Sequence, residues 1–313
     1  MEHEHGDGGG GGSHDRRAEG RTAAPPPRPG DRPKIAIMDA GIGLLAAASA
    51  VRRLRPDADL VLSSDPDGMP WGPRTPQEIT ARALAVGEAA AARRPHALVV
   101  ACNTATVHAL PALRARFEPE LPVIGTVPAI KPAAVGGGPL AVWATPATTG
   151  SPYQRSLIRR FAGGTAVTEV PCPGLSDAVE QGDEDAIGRA IAAAARRTPA
   201  GVRSVVLGCT HYELVAERIR AALSRPGLPP LVLHGSAPAV AAQALRRTGH
   251  PHAPHSPADG TLTVLLSGRE AALPDPALTY AEGRLLLRGP ERARVRRRPL
   301  RPAAAAAGRE SSG

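Results

Sequence analysis

Three side chains of this sequence are thiols, and two of them sit in matching surroundings. "VVACNTATVHAL" (Val99 to Leu110) and "VVLGCTHYELVA" (Val205 to Ala216) each run from apolar residues to a cysteine, then to hydroxyl or amide residues, then into helix-forming sequence. Such a junction puts Cys102 and Cys209 at the carboxyl end of a strand and the start of a helix, where open α/β sheets bind ligands. The free N–H groups and partial positive charge of a helix start lower a thiol pKa from about 8.5 towards neutrality. A single cysteine at a tight turn is ordinary packing. Two in one pattern, with His211 two residues beyond the second, point to chemistry. Paired thiols suit a two-base device. One thiolate removes a proton from a carbon acid, the other delivers a proton to the opposite face, and helix N-termini stabilise the carbanion.

Asp39 ends an apolar run just before "GIGLLA". The glycines fit the dinucleotide pattern G-x-G-x-x-G/A, but a carboxylate at Asp39 would repel a pyrophosphate. Asp39 is better suited to poise a thiol or bind an ammonium. Thr104 and Thr210 read as N-caps, and Thr210 to Glu213 has capping-box spacing. Cys172, in "VPCPGL", lies outside both cysteine patterns and reads as structural. His96 and His108 read as packing or surface residues, and Arg74 as a solvated cation near the cleft loop.

The elements that must position these groups alternate. "KIAIMD", "ADLVLSSD", "HALVVA", "LPVIGTV", "PLAVWAT" and "VRSVVLG" are strand-like. "LLAAASAVRRL", "TPQEITARALAVGEAAAARR", "TVHALPALRARF", "SPYQRSLIRRFA", "DEDAIGRAIAAAARR" and "YELVAERIRAAL" are helix-like. Thr75 as N-cap, Pro76 at the first helical position and Glu78 predict a capping box. This alternation implies parallel sheet covered by helices on both faces. Because the cysteine unit occurs twice, it predicts an α/β fold of two similar domains with mainly parallel sheets flanked by helices, the site lying in the cleft between them.

Composition narrows the classes. The chain has 313 residues and 42% hydrophobic residues, enough for a sizeable core, but 2% aromatics, so Ala, Val, Leu and Ile must build it. Of the net charge of +9, most sits from Leu287 onward, where eight Arg face two Glu, so the body is only mildly basic and a nucleic-acid partner is not expected. No two cysteines form a CxxC, which disfavours a disulfide framework or thiolate metal site and suits a reducing, cytoplasmic setting. No apolar run is long enough to span a membrane, and the Gly- and His-rich start carries no secretory h-region. Residues 1–33 and 287–313 are low-complexity and are expected to be disordered tails.

The motifs taken together resemble the glutamate racemases, cofactor-independent amino-acid racemases of the aspartate/glutamate racemase superfamily. "ACNTATVHALPALRARF", "PVIGTVPAIKPA", "ATPATTGSPYQ" and "LGCTHYELV" carry the resemblance, which spans roughly Lys34 to Leu286. It implies a first domain of residues 34–127 plus 231–286 and a second of residues 128–230. It implies that Cys102 and Cys209 are the opposing catalytic bases, helped by Asp39, Glu180 and His211. Substrate contacts are implied at Asp39, Ala40, Asp65, Trp71, Gly72, Asn103, Thr104, Thr145, Thr148, Thr210 and His211. No cofactor or metal is implied, the partner is a small acidic amino acid, and dimers are common among such enzymes, which leaves a homodimer open. The implied product, D-glutamate, supplies peptidoglycan. The sequence departs from the family's pattern at Ala40, where D-S-G becomes Asp39-Ala40-Gly41, and at Leu44, Trp71 and Leu233-His234-Gly235-Ser236. Two alternatives follow: a racemase of the superfamily acting on aspartate or another carbon acid, and a non-catalytic paralogue that binds an amino acid or a protein partner.

Overall fold

A computed structural model describes residues 31–227 and 230–288. Most of the two tails expected from the sequence therefore lies outside the described residues.

The chain begins with β1 (Lys34–Met38), α1 (Leu44–Leu54), β2 (Asp59–Ser64), α2 (Pro76–Ala91), β3 (Ala97–Val100), α3 (Asn103–Phe117) and β4 (Val123–Gly125). It crosses into a second unit made of α4 (Ile130–Val135), β5 (Leu140–Ala144), α5 (Pro152–Phe161), β6 (Val167–Pro171), α6 (Leu175–Gln181), α7 (Glu184–Arg197), β7 (Ser204–Leu207), α8 (Thr210–Glu213), α9 (Ala216–Leu223) and β8 (Val232–His234). It then returns as α10 (Ala237–Arg247), β9 (Leu262–Leu266), β10 (Arg269–Ala271), α11 (Asp275–Thr279) and α12 (Ala281–Leu286). The first sheet has the order β10-β9-β2-β1-β3-β4 and the second β6-β5-β7-β8. Every pairing is parallel except β10 with β9.

The strands are continuous apolar runs because helices cover both faces; Ile35 through Met38 and Ala97 through Val100 are all buried. Local signals set the helix starts. Thr75 and Glu78 form the reciprocal capping box at α2, Ser151 accepts from the Gln154 N–H at α5, and Asp183 accepts from the Ala186 N–H at α7. One apolar cluster runs from Ile35 and Leu45 to Trp143, Val205 and Tyr212, so the two sheets share a core.

Three expectations need correction. The strand at 232–234, grouped by sequence with the first domain, is hydrogen-bonded to β7 in the second sheet. The helix expected over "YELVAERIRAAL" breaks at Leu214–Val215 into α8 and α9. Thr104 and Thr210 are not N-caps: Cys102 and Cys209 occupy those positions, neither making a side-chain cap bond.

Candidate active site

The carboxyl ends of strands from both sheets meet around a cavity of about 370 Å³. Its wall takes Asp39 and Ala40 after β1, the 69–73 loop after β2, and Cys102 to Thr104 after β3. The second sheet supplies Thr145 to Thr148 after β5, Pro173 to Asp177 after β6, and Gly208 to His211 after β7. Both cysteine junctions therefore open onto one space. Among the described residues no lysine or arginine lines it.

Cys102 is 7% exposed and lies beside Asp39, which is 1% exposed. Burial and the Asp39 carboxylate push this thiol well above the ordinary range, against one backbone N–H from Ala105. The helix-start effect expected from sequence is thus outweighed by desolvation and a neighbouring anion. Asp39 is itself shifted upward by burial, which outweighs the charge of His211 and hydrogen bonds from Thr210, Cys102 and Ala40. The Thr210 hydroxyl donates to Asp39 Oδ2 at 2.8 Å, and the Ala40 N–H donates to Oδ1 at 2.7 Å.

Cys209 has an imidazole partner instead. Its sulfur lies 3.8 Å from His211 Nδ1, and His211 Nε2 lies 2.8 Å from Glu180 Oε2. Burial alone would lower the imidazole pKa; hydrogen bonding to Cys209 and Glu180 overcomes this and holds it well above its ordinary value. These partners favour the charged form of the His211 ring. One thiol faces a buried acid and the other a buried imidazole.

The "GIG" turn serves these groups and not a nucleotide. A Cβ on Gly43 would stand 2.6 Å from Asp39 Oδ2 and 2.8 Å from His211 Nδ1, and one on Gly41 would collide with the Glu180 carboxylate. The intervening Ile42 N–H donates to Glu180 Oε2 at 2.8 Å. Glycine is required because the backbone packs directly against the helper residues. Leu44 is not part of this turn; it is the buried first residue of α1.

Most of the anticipated residues line the cavity: Asp39, Ala40, Trp71, Gly72, Asn103, Thr104, Thr145, Thr148, Thr210 and His211 join the two cysteines there. Asn103 ties the two motifs together, its Nδ2 donating to the Gly208 carbonyl at 3.1 Å. Its Oδ1 is buried and has no partner among the described residues. Asp65 and Glu180 stand behind the wall. Asp65 accepts from Trp71 Nε1 and Arg82, each at 3.0 Å, so it orients the loop that carries Trp71. Glu180 reaches the cavity only through His211. Ser176 and Asp177 also line the space and were not anticipated, although "PCPGLSD" has the strand-to-helix character that marks such sites. Cys172 is buried, its thiol donating to the Val170 carbonyl at 3.5 Å, and stands apart from the cavity wall. Among the described residues no group of three or more His, Cys, Asp or Glu could hold a metal ion, and no helix is long and apolar enough to cross a membrane.

Residues 44–243 match the family model described as Asp/Glu/Hydantoin racemase. The chain is 41% identical over 212 residues to the glutamate racemase of Roseiflexus sp. (strain RS-1), covering 66% of this chain and 76% of that one. It is 34% identical over 227 residues to the glutamate racemase of Pseudomonas syringae pv. tomato, covering 70% and 81%. Among solved structures, Escherichia coli glutamate racemase in complex with L-glutamate and the activator UDP-MurNAc-Ala superposes with a TM-score of 0.66 at 30% identity, over 82% of this chain and 93% of that one. Glutamate racemase from Thermus thermophilus gives 0.57 at 26% identity, over 75% and 87%.

Proposed function

Because the chain belongs to the Asp/Glu/Hydantoin racemase family, we propose that it is an amino-acid racemase that interconverts L- and D-glutamate, with two cysteines as opposing bases. The observation that carries this reading is the pairing of Cys102 and Cys209 across one cavity in opposite surroundings, a thiol beside Asp39 and a sulfur beside the His211 imidazole. In the first half of turnover, the Cys209 thiolate takes the Cα proton while the Cys102 thiol gives its proton to the other face. Cys209 then carries a proton and Cys102 does not, which is the state suited to the reverse direction. Asp39, which disfavours a Cys102 thiolate, and His211, which favours a negative charge on Cys209, both support the starting charge distribution of this direction.

With no lysine or arginine among the described residues of the wall, the substrate carboxylates fall to dipolar donors: backbone N–H groups at the starts of α3 and α8, and the hydroxyls of Thr104, Thr145 and Thr148. The unpartnered Asn103 Oδ1 and the Asp39 carboxylate suit the ammonium. The D-glutamate formed would supply peptidoglycan synthesis in the cytoplasm.

Incubation with L-glutamate in heavy water tests the reading. Deuterium at Cα together with D-glutamate is expected. Exchange confined to aspartate would replace glutamate with another carbon acid, and no exchange across a panel of acidic amino acids would leave a binding protein.

A further inference from the structure

The second thiol stands at the N-cap of a helix of four residues, α8. A helix that short has little stability of its own, so the position of Cys209 depends on where its neighbours in α8 are tied. Thr210 is tied to Asp39 and His211 to Glu180. The last residue, Glu213, is committed elsewhere. Its Oε1 accepts from the Ser236 N–H at 2.8 Å, the Ser236 hydroxyl at 2.9 Å and the Ala237 N–H at 3.3 Å. Ser236 is the N-cap of α10 and makes no side-chain cap bond of its own. Glu213 therefore caps α10 from another element, its carboxylate satisfying the exposed N–H groups of that helix start.

The location of this contact matters. Ser236 lies where the chain returns from the second sheet at β8 to α10, which packs on α1 of the first domain. Thr126 lies at the other crossover, between β4 and α4. Thr126, Ser236, Thr210 and Glu213 together border a cavity of about 10 Å³. Both interdomain connections thus meet beneath α8.

Resting on the racemase reading above, we propose that Glu213 is a positioning residue for the reaction: by clamping α8 to the start of α10 at the interdomain crossover, it holds Cys209 and His211 in register with Asp39 and Cys102. Glu213 does not line the cavity that holds the two cysteines and acts only through α8.

The test uses the full chain and the variants Glu213→Ala and Glu213→Gln. Reaction of each cysteine with iodoacetamide is followed by mass spectrometry, alongside steady-state racemisation. Glu213→Ala is expected to change the Cys209 alkylation rate severalfold with Cys102 unaffected. It should lower kcat by tenfold to a hundredfold, on the order expected for displacement of a reacting group by about 1 Å, while KM moves less than threefold. Glu213→Gln keeps one acceptor oxygen for Ser236 and should fall between Ala and the wild type; it decides the matter if the Ala variant does not fold. Unchanged Cys209 labelling and kcat in a folded variant would overturn the proposal, as would equal changes at both cysteines with a drop in Tm. The labelling comparison is independent of glutamate turnover, so a failure of the clamp is separable from a failure of the assigned substrate.

Discussion

At the scale of single residues, the two thiols are equivalent in backbone position and opposite in charge environment. Replacing either Cys102 or Cys209 with Ala should abolish conversion of L- to D-glutamate by chiral chromatography. One face should stay competent for exchange, so deuterium wash-in from a single enantiomer is expected to survive; near-normal racemisation in either variant would end the two-base reading. Ala40 is a second place where one atom decides. It lines the cavity, is 6% exposed, and its N–H already engages Asp39. Ala40→Ser adds a hydroxyl facing the substrate, and one bond to a charged group, about 1.5 kcal/mol, should raise kcat/KM for glutamate roughly tenfold. A fall on glutamate, with aspartate favoured in the parent, would show a pocket reshaped for the shorter acid. The cysteines, Asp39 and His211 were legible in the sequence because motif and spacing mark them. The thiol environment was not: whether a helix start or a buried acid governs Cys102 depends on desolvation, which only tertiary packing sets.

At the scale of elements, the helices with their own caps, α2, α5 and α7, were legible, and the break between α8 and α9 was not. The capping box at α2 is written in "TPQE", and the structure forms it. Thr75→Ala should cost about 1 kcal/mol, read as a lower urea midpoint at unchanged m-value with racemisation intact. The same spacing from Thr210 to Glu213 forms no box, because the threonine hydroxyl turns to Asp39 and the carboxylate to Ser236. With both polar ends of α8 spent on partners distant in sequence, the helix stops at Glu213 although no glycine or proline ends it. Residues Leu214 and Val215 make the bend and α9 starts afresh. Tertiary demand overrode local pattern.

At the scale of the molecule, two facing parallel sheets were legible from β/α alternation and from the doubled cysteine motif. The edge of the second sheet was not, since β8 has only three residues and pairs with the preceding strand β7 before the chain returns to the first sheet. Folding stability carries the mark of buried thiols. Burial pushes Cys172 from the ordinary thiol value of 9.0 to about 12. An acid whose folded pKa is raised keeps its proton while the unfolded chain loses it, so stability falls as pH rises above about 9 and stops falling near 12. The slope is about 1.4 kcal/mol per pH unit for this group, and Cys172→Ala should remove that share from urea unfolding measured across alkaline pH. The cavity between the sheets has a quieter consequence. Among the described residues its wall holds amide and hydroxyl dipoles and the His211 ring, but no lysine or arginine. Mobile ions screen exposed charges over about 10 Å at 0.1 M, whereas dipoles in hydrogen-bond contact with a bound carboxylate are screened far less. The chain should therefore hold its anionic amino acid with a KM that is nearly flat from dilute buffer to molar potassium chloride, and so meet swings in cellular osmolarity without losing its grip on substrate.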